Sequence, residues 1–218
     1  MRSLRSPHLF VVVAGYALGA LALYSGLPQE IPPSWSVPGR GAVWLGAPMV
    51  AFLLPTAVVV TDALLRGLSV RHPVDETSAV NVLAIYDAIM LRFMVFVVGV
   101  HATVLAGVLG RLRGQEWAAQ IVPLMLGFTI ISIGNLLPRT RPNLAIGIRT
   151  RRTLSDRALW IRVHRSAGYI VVACGAVIVF SAIAVPRPLG PGMVLLVGPA
   201  ALLGTWLLVR SSGRHAHA

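Results

Sequence analysis

The chain has 218 residues, 56% of them hydrophobic and only 12% charged, with a mean hydropathy of +0.77. That balance excludes an ordinary soluble domain and implies an integral membrane protein. The net charge of +12 would point to nucleic acid in a soluble chain, but here the cations lie between apolar runs. Membrane topology and lipid headgroups account for them, and no direct nucleic-acid binding is expected.

Six stretches of about 20 residues are long enough to cross a bilayer core as helices. They lie near 8–26, 44–65, 88–110, 118–137, 166–185 and 191–209. The first also has the basic start and apolar core of a signal sequence, but the later spans need a first one to set orientation, so it is expected to stay. The third needs care. Its helical pattern from Ala79 to Gly110 would be about 48 Å long, so part of it must lie outside the hydrocarbon. Asp87 and Arg92 then fall at the interface, where Arg can snorkel, and His101 falls near mid-membrane. His101 reads as a neutral imidazole bonded to a neighbouring helix, since a lone His makes a poor proton relay. Asp62, at the inner end of the second span, is a candidate partner for an arginine of the connection between the fourth and fifth spans. Asp62, Asp87, Arg92 and His101 are thus the expected intramembrane polar contacts.

All 19 Lys+Arg residues are Arg, a bias that suits a GC-rich bacterial genome. Fourteen lie in the N-terminus, the second and fourth connections and the C-terminal tail; four lie in the first, third and fifth connections; and Arg92 is within a span. The positive-inside rule therefore places both termini and the fourth connection in the cytoplasm of a bacterial plasma membrane. The single cysteine, Cys174, lies in an apolar run, so no disulfide framework or thiolate metal cluster is expected. Nothing implies a cofactor. The C-terminal "RHAHA" reads as a short disordered end.

The stretch "IGNLLPRTRPNLAIGIRTRRTLSDRALWIRVHR", residues 133–165, carries eight arginines against one acid, Asp156. Asn135 lies one turn before Pro138, so the fourth helix is expected to fray at Gly134-Asn135 and stop near the proline. "RPN" at 141–143 is a turn signal, and Gly147 permits backbone geometry closed to other residues. Thr153 and Asp156 are spaced as an N-cap and its reciprocal acid, which would open a helix at about Ser155. On that helix Asp156, Trp160 and His164 share a face, with Trp160 suited to the headgroup level. Two readings remain open: topology with attraction to anionic lipid headgroups, or a folded cap in which Arg141, Arg149 and Arg165, helped by Asn135, Asn143 and His164, hold a carboxylate, a phosphate or an acidic partner.

Gly134-Asn135, Arg141-Pro142-Asn143, Gly147-Ile148-Arg149-Thr150, Thr153-Leu154-Ser155, Trp160 and His164-Arg165 together resemble the conserved core of the SdpI family of bacterial membrane immunity proteins. Upstream, Leu27-Pro28, Ile31-Pro32, Trp35 and Gly39 resemble a short domain of unknown function that often precedes that core. There, Ser34 and Ser36 replace a His and an Asn of the usual pattern, and the stretch also reads as a proline-stiffened loop with Trp35 on the membrane surface. The resemblance implies protection against a membrane-active peptide toxin and docking of a soluble transcriptional regulator, with no enzyme activity.

The alternative is an anionic-lipid or polyprenyl-phosphate binding protein, transporter or enzyme using the Arg/Asn/His cluster. The lipid-phosphatase pattern is not met: Arg141-Pro142 is present, but no Ser-Gly-His occurs and the gap from Arg157 to His164 is wrong. The expected architecture is therefore an all-α membrane protein of six helices with both termini cytoplasmic. It comprises a two-helix unit at 1–80 with a Pro-rich extracytoplasmic loop and a four-helix unit at 81–218. A structured Arg-rich cap at 138–165 joins the fourth and fifth helices. Its expected working residues are Asn135, Arg141, Asn143, Arg149, Trp160, His164 and Arg165.

Overall fold

The computed structural model describes residues 6–31, 45–69, 76–111, 116–143, 146–184 and 204. In chain order these form α1 (Ser6–Tyr24), β1 (Glu30–Ile31), β2 (Leu45–Gly46), α2 (Ala47–Ser69), α3 (Glu76–Val108), α4 (Glu116–Gly134), a 3-10 turn (Leu137–Arg139), α5 (Arg151–Ser155) and α6 (Arg157–Ala184). The membrane-length helices are apolar all round, as lipid-facing segments must be.

Among the described residues five helices, not six, are long and apolar enough to cross a bilayer: Pro7–Tyr24, Ala47–Gly67, Asn81–Val108, Gln120–Arg139 and Arg157–Ala184. This corrects the six-span layout. The stretch expected at 191–209 lies, apart from Gly204, outside the described residues, as do Trp35 and the C-terminal histidines. The cap expected at 138–165 is corrected too: the span expected at 166–185 begins at Arg157, so Arg157 to Arg165 belong to the first turns of α6 and not to a connection before it. The reason is local: the Asp156 carboxylate accepts from the Ala158 and Leu159 amides at 2.8 and 3.0 Å and so starts the helix there.

The chain divides into two compact units. One comprises Met1–Leu64 with Phe93–Val122. Its core gathers Ala22, Leu27, Ala47, Val50, Ala51 and Leu105. Gly19 lets α1 approach α2 so closely that a Cβ there would collide with the Ala51 carbonyl. Tyr16 and Thr56 share a hydroxyl hydrogen bond of 2.9 Å beside the stacked rings of Tyr16 and Phe52. β1 and β2 pair antiparallel, Glu30 opposite Gly46 and Ile31 opposite Leu45. His101 is fully buried in this unit. Neither ring nitrogen has a hydrogen-bond partner among the described residues, so the bond to a neighbouring helix expected for this imidazole is not made there.

The other unit comprises Leu65–Arg92 with Pro123–Ala218. Here α4 and α6 cross on glycines. A Cβ on Gly175 would stand 2.7 Å from the Gly127 carbonyl oxygen, and one on Gly168 would stand 2.9 Å from that of Gly134. Each pair is two helical turns apart, so two contact points of one face are kept free of side chains. In a membrane, where lipid is as apolar as leucine, such backbone approach is what drives helices together. Arg66 bonds Asp87 at 2.8 Å and lies over the Tyr86 ring, 5.2 Å from its centroid.

Gly175→Val should therefore lower the stability of the detergent-solubilised protein by about 1–3 kcal/mol. Gly67→Ala, in open space on α2, should leave it unchanged or raise it by up to about 1 kcal/mol. Thermal or denaturant unfolding of the two variants tests this, and equal effects would refute the crossing as a packing constraint.

Candidate functional site

The segment from Gly134 to Arg165 is held by neutral polar groups that bond to one another. α4 ends at Gly134, and Pro138 sits in the 3-10 turn that follows. Thr140 is buried there and donates through its hydroxyl to the Leu137 carbonyl at 2.8 Å. Asn81 of α3 accepts from the Arg141 amide at 3.2 Å and so ties this turn to a distant helix. Asn143 closes the next turn. Its amide nitrogen donates to the carbonyls of Arg141 (2.7 Å) and Ile146 (3.1 Å), and its oxygen accepts from the Ile146 amide at 2.7 Å.

Gly147 follows at φ +114°, a conformation that side-chain-bearing residues rarely adopt. A Cβ here would also collide with His164 Nε2. This close approach lets the Ile148 amide donate to His164 Nε2 at 2.9 Å. A backbone amide can only donate, so Nε2 is unprotonated; Nδ1 carries the hydrogen and donates to the Trp160 carbonyl at 2.9 Å. The imidazole stacks on the Trp160 indole with centroids 3.9 Å apart and planes 17° apart. The indole Nε1 in turn donates to the carbonyl and hydroxyl oxygens of Thr140, at 3.0 and 3.2 Å. Trp160, His164 and Thr153 are 0% exposed.

Helix α5 opens differently from expectation. Its N-cap is Thr150 and not Thr153: the Thr150 hydroxyl accepts from the Thr153 amide, and the Thr153 hydroxyl accepts from the Thr150 amide. The Thr153 hydroxyl also reaches the Ile148 carbonyl at 2.8 Å. Two threonines thus make the reciprocal box for which Thr153 and Asp156 seemed spaced, and Asp156 is left to cap α6. The same three-residue spacing occurs twice in overlapping register, and the earlier one starts the helix.

The structure brings Asn143, Trp160 and His164 into one buried clasp, with both nitrogens of His164 engaged. Arg141, Arg149 and Arg165 are exposed, together with Arg139, Arg151, Arg152, Arg157 and Arg162. Asn135 is exposed as well. Among the intramembrane candidates, Asp62 is buried in the first unit, Asp87 is held by Arg66, and Arg92 bonds Ser132 and the Ala88 carbonyl. Among the described residues no three His, Cys, Asp or Glu side chains converge as metal ligands would. Sequence reasoning missed Thr140, Thr150 and Asn81. The Thr-x-x-Thr spacing could have revealed Thr150, whereas nothing local signals a contact between Asn81 and a turn some 60 residues away.

These features define a multi-span membrane protein with a clasped segment that faces outward with arginines. Residues 139–211 match the profile of the SdpI/YfhL protein family. The chain is also 26% identical over 168 residues to the Immunity protein SdpI of Bacillus subtilis (strain 168), covering 77% of this chain and 76% of that protein. No solved structure matches it. It is thus a multi-pass membrane protein that is similar, over its C-terminal third, to the SdpI/YfhL protein family.

If the clasp orders the segment, its exposed arginines report the order directly, because trypsin cuts only backbone that can open. Gly147→Ala and His164→Ala each break a buried bond worth about 1–3 kcal/mol when one partner is left unsatisfied. Cleavage between residues 139 and 165 should then be faster by roughly tenfold or more, while Ser155→Ala, at an exposed site, should cut like the wild type. Equal cleavage rates for all four proteins would show that the clasp does not hold the segment.

Proposed function

We propose that this chain is an immunity protein of the SdpI type, which protects the cell carrying it against a membrane-active peptide toxin. In this reading the 139–165 segment faces the cytoplasm, and its arginine surface docks an acidic soluble partner such as a transcriptional regulator. The observation that carries the docking role is the division of labour in the segment. Its buried polar side chains are bonded to each other and to backbone, while all eight arginines are exposed. A histidine whose two nitrogens are engaged offers neither a base nor a nucleophile to a substrate, which favours a surface that binds over one that reacts. The arginine distribution along the chain supports the orientation, and the relative named an immunity protein supports the biological role.

A second reading is favoured by Arg157, Arg162 and Arg165, which are exposed on the first turns of a membrane-length helix. Cations at that level attract anionic headgroups by about 1 kcal/mol each. On this reading the segment is a lipid-binding surface.

A sensitive bacterial host expressing the chain, challenged with a panel of membrane-active peptide toxins, tests the first reading. Wild type should raise survival to at least one of them, and Gly147→Ala, at equal abundance in the membrane, should lose most of that protection. Replacing Arg149, Arg151 and Arg152 together by Gln should abolish capture of a soluble partner while leaving the membrane level unchanged. Survival no better than that of the empty host across the panel would sink the immunity reading.

A further inference from the structure

Arg92 lies well inside the Asn81–Val108 span, and among the described residues no acid is bonded to it. It lies on α3, where its Nε donates to the Ser132 hydroxyl of α4 and its Nη1 to the Ala88 carbonyl at 2.6 Å. Both partners are neutral. The nearest acid along its own helix, Asp87, is bonded to Arg66 at 2.8 Å. Glu76 and Glu116 stand at the far ends of α3 and α4, each about 24 Å along the helix from Arg92 or Ser132 at 1.5 Å per residue. A guanidinium has five N–H donors in a flat fork, so two bonds to neutral oxygens leave donors and the full charge for an anion. Fixed charge at membrane depth is costly unless an opposite charge meets it.

Position says which anion. Ser132 lies two residues before the end of α4, about 3 Å along the axis, just before the arginine-faced segment begins. One helical turn deeper, on the same face of α4, Phe128 is 60% exposed and offers a ring to an acyl chain. A cation held beside the last turn of α4, with apolar surface beneath it, matches an amphiphile whose phosphate reaches that guanidinium while its tail lies in the hydrocarbon.

We infer that Arg92, positioned by Ser132, binds the phosphodiester of an anionic phospholipid in the groove between α3 and α4. Bidentate N–H contacts to the phosphate oxygens supply the recognition. Ser132 acts by fixing the guanidinium and does not itself have to touch the lipid. The site is separate from the arginine-faced surface and does not depend on what that surface docks.

The test uses the full chain, delipidated in detergent, with native mass spectrometry and thermal unfolding read after adding phosphatidylglycerol, phosphatidylcholine or inorganic phosphate. Wild type should retain one phosphatidylglycerol tightly and gain thermal stability, with weaker retention of the zwitterionic lipid. Arg92→Gln should weaken that retention roughly tenfold, and Ser132→Ala should weaken it less. Arg92→Lys, which keeps the charge and loses the fork, should fall between wild type and Arg92→Gln. Arg111→Gln, at an exposed arginine just past the end of α3, should retain the lipid as wild type does. Should Arg92→Gln fail to fold, Ser132→Ala and Arg92→Lys carry the comparison. Undiminished retention in the folded Arg92 and Ser132 variants would overturn the inference. So would inorganic phosphate that stabilises the protein as well as the lipid does, since the site would then serve a free anion. Because these readouts are made on purified protein, they stand or fall apart from survival under toxin challenge.

Discussion

The hydrogen bond from the Ile148 amide to His164 Nε2 is the contact on which the order of the arginine-rich segment depends. It joins the irregular chain after α4 to the start of α6, and it forms only because Gly147 brings backbone against the imidazole where any side chain would collide. Everything around it serves to keep that ring in place. The Trp160 carbonyl fixes the tautomer, the Trp160 indole covers one face of the ring, and Thr140 anchors the indole. Buried polar networks of this kind are stable when every member is satisfied and costly when one is not. A single bond at the centre can therefore hold a long stretch of chain that has little apolar surface of its own to bury.

The clasp sits directly on the helix crossing below it. Gly168, one turn after His164 on α6, packs against both the Gly134 carbonyl and the Pro138 ring, with a hypothetical Cβ 3.1 Å from the proline. The last close contact of α4 with α6 is thus also the contact that seats the 3-10 turn. Pro138 both ends α4 and fills the gap beside Gly168. Membrane packing and segment order are coupled through these few atoms, because a shift of α6 by a fraction of an ångström would move His164 relative to Gly147. Close-packed interiors transmit such displacements instead of absorbing them.

Much of this was legible in sequence, for reasons that differ from residue to residue. The apolar helices follow from hydropathy, and the end of α4 from Gly134 and Pro138, since both signals are local. The count of spans rested in part on the stretch at 191–209, which apart from Gly204 lies outside the described residues. Trp160 and His164 were visible as neighbours on one helix face, but their role was not. Polar residues beside eight arginines suggest a ligand; what spacing does not show is that Trp160 and His164 are themselves bonded to Thr140 and Ile148. That distinction depends on Gly147 meeting His164 across 17 residues of chain, which spacing cannot reveal. The Thr150 cap was within reach of spacing and lost to the competing Thr153–Asp156 pair, since both fit the same pattern.

A surface of eight like charges repels itself, and a flexible chain would respond by spreading. Keeping the arginines close together therefore requires a scaffold whose stability does not rest on them. Here the scaffold is built from neutral groups, Thr, Asn, Trp, neutral His and backbone, so its bonds are indifferent to salt, whereas the charged face is screened by it. Ionic strength should then separate the two functions cleanly, weakening whatever the arginines bind while leaving the clasp intact. The same division explains why Arg66 and Arg92 are treated differently from the eight. Both are partly buried, where water screens less, and each is fastened by a specific side chain, Asp87 for the first and Ser132 for the second. An exposed arginine supplies a field, and a partly buried one needs a partner.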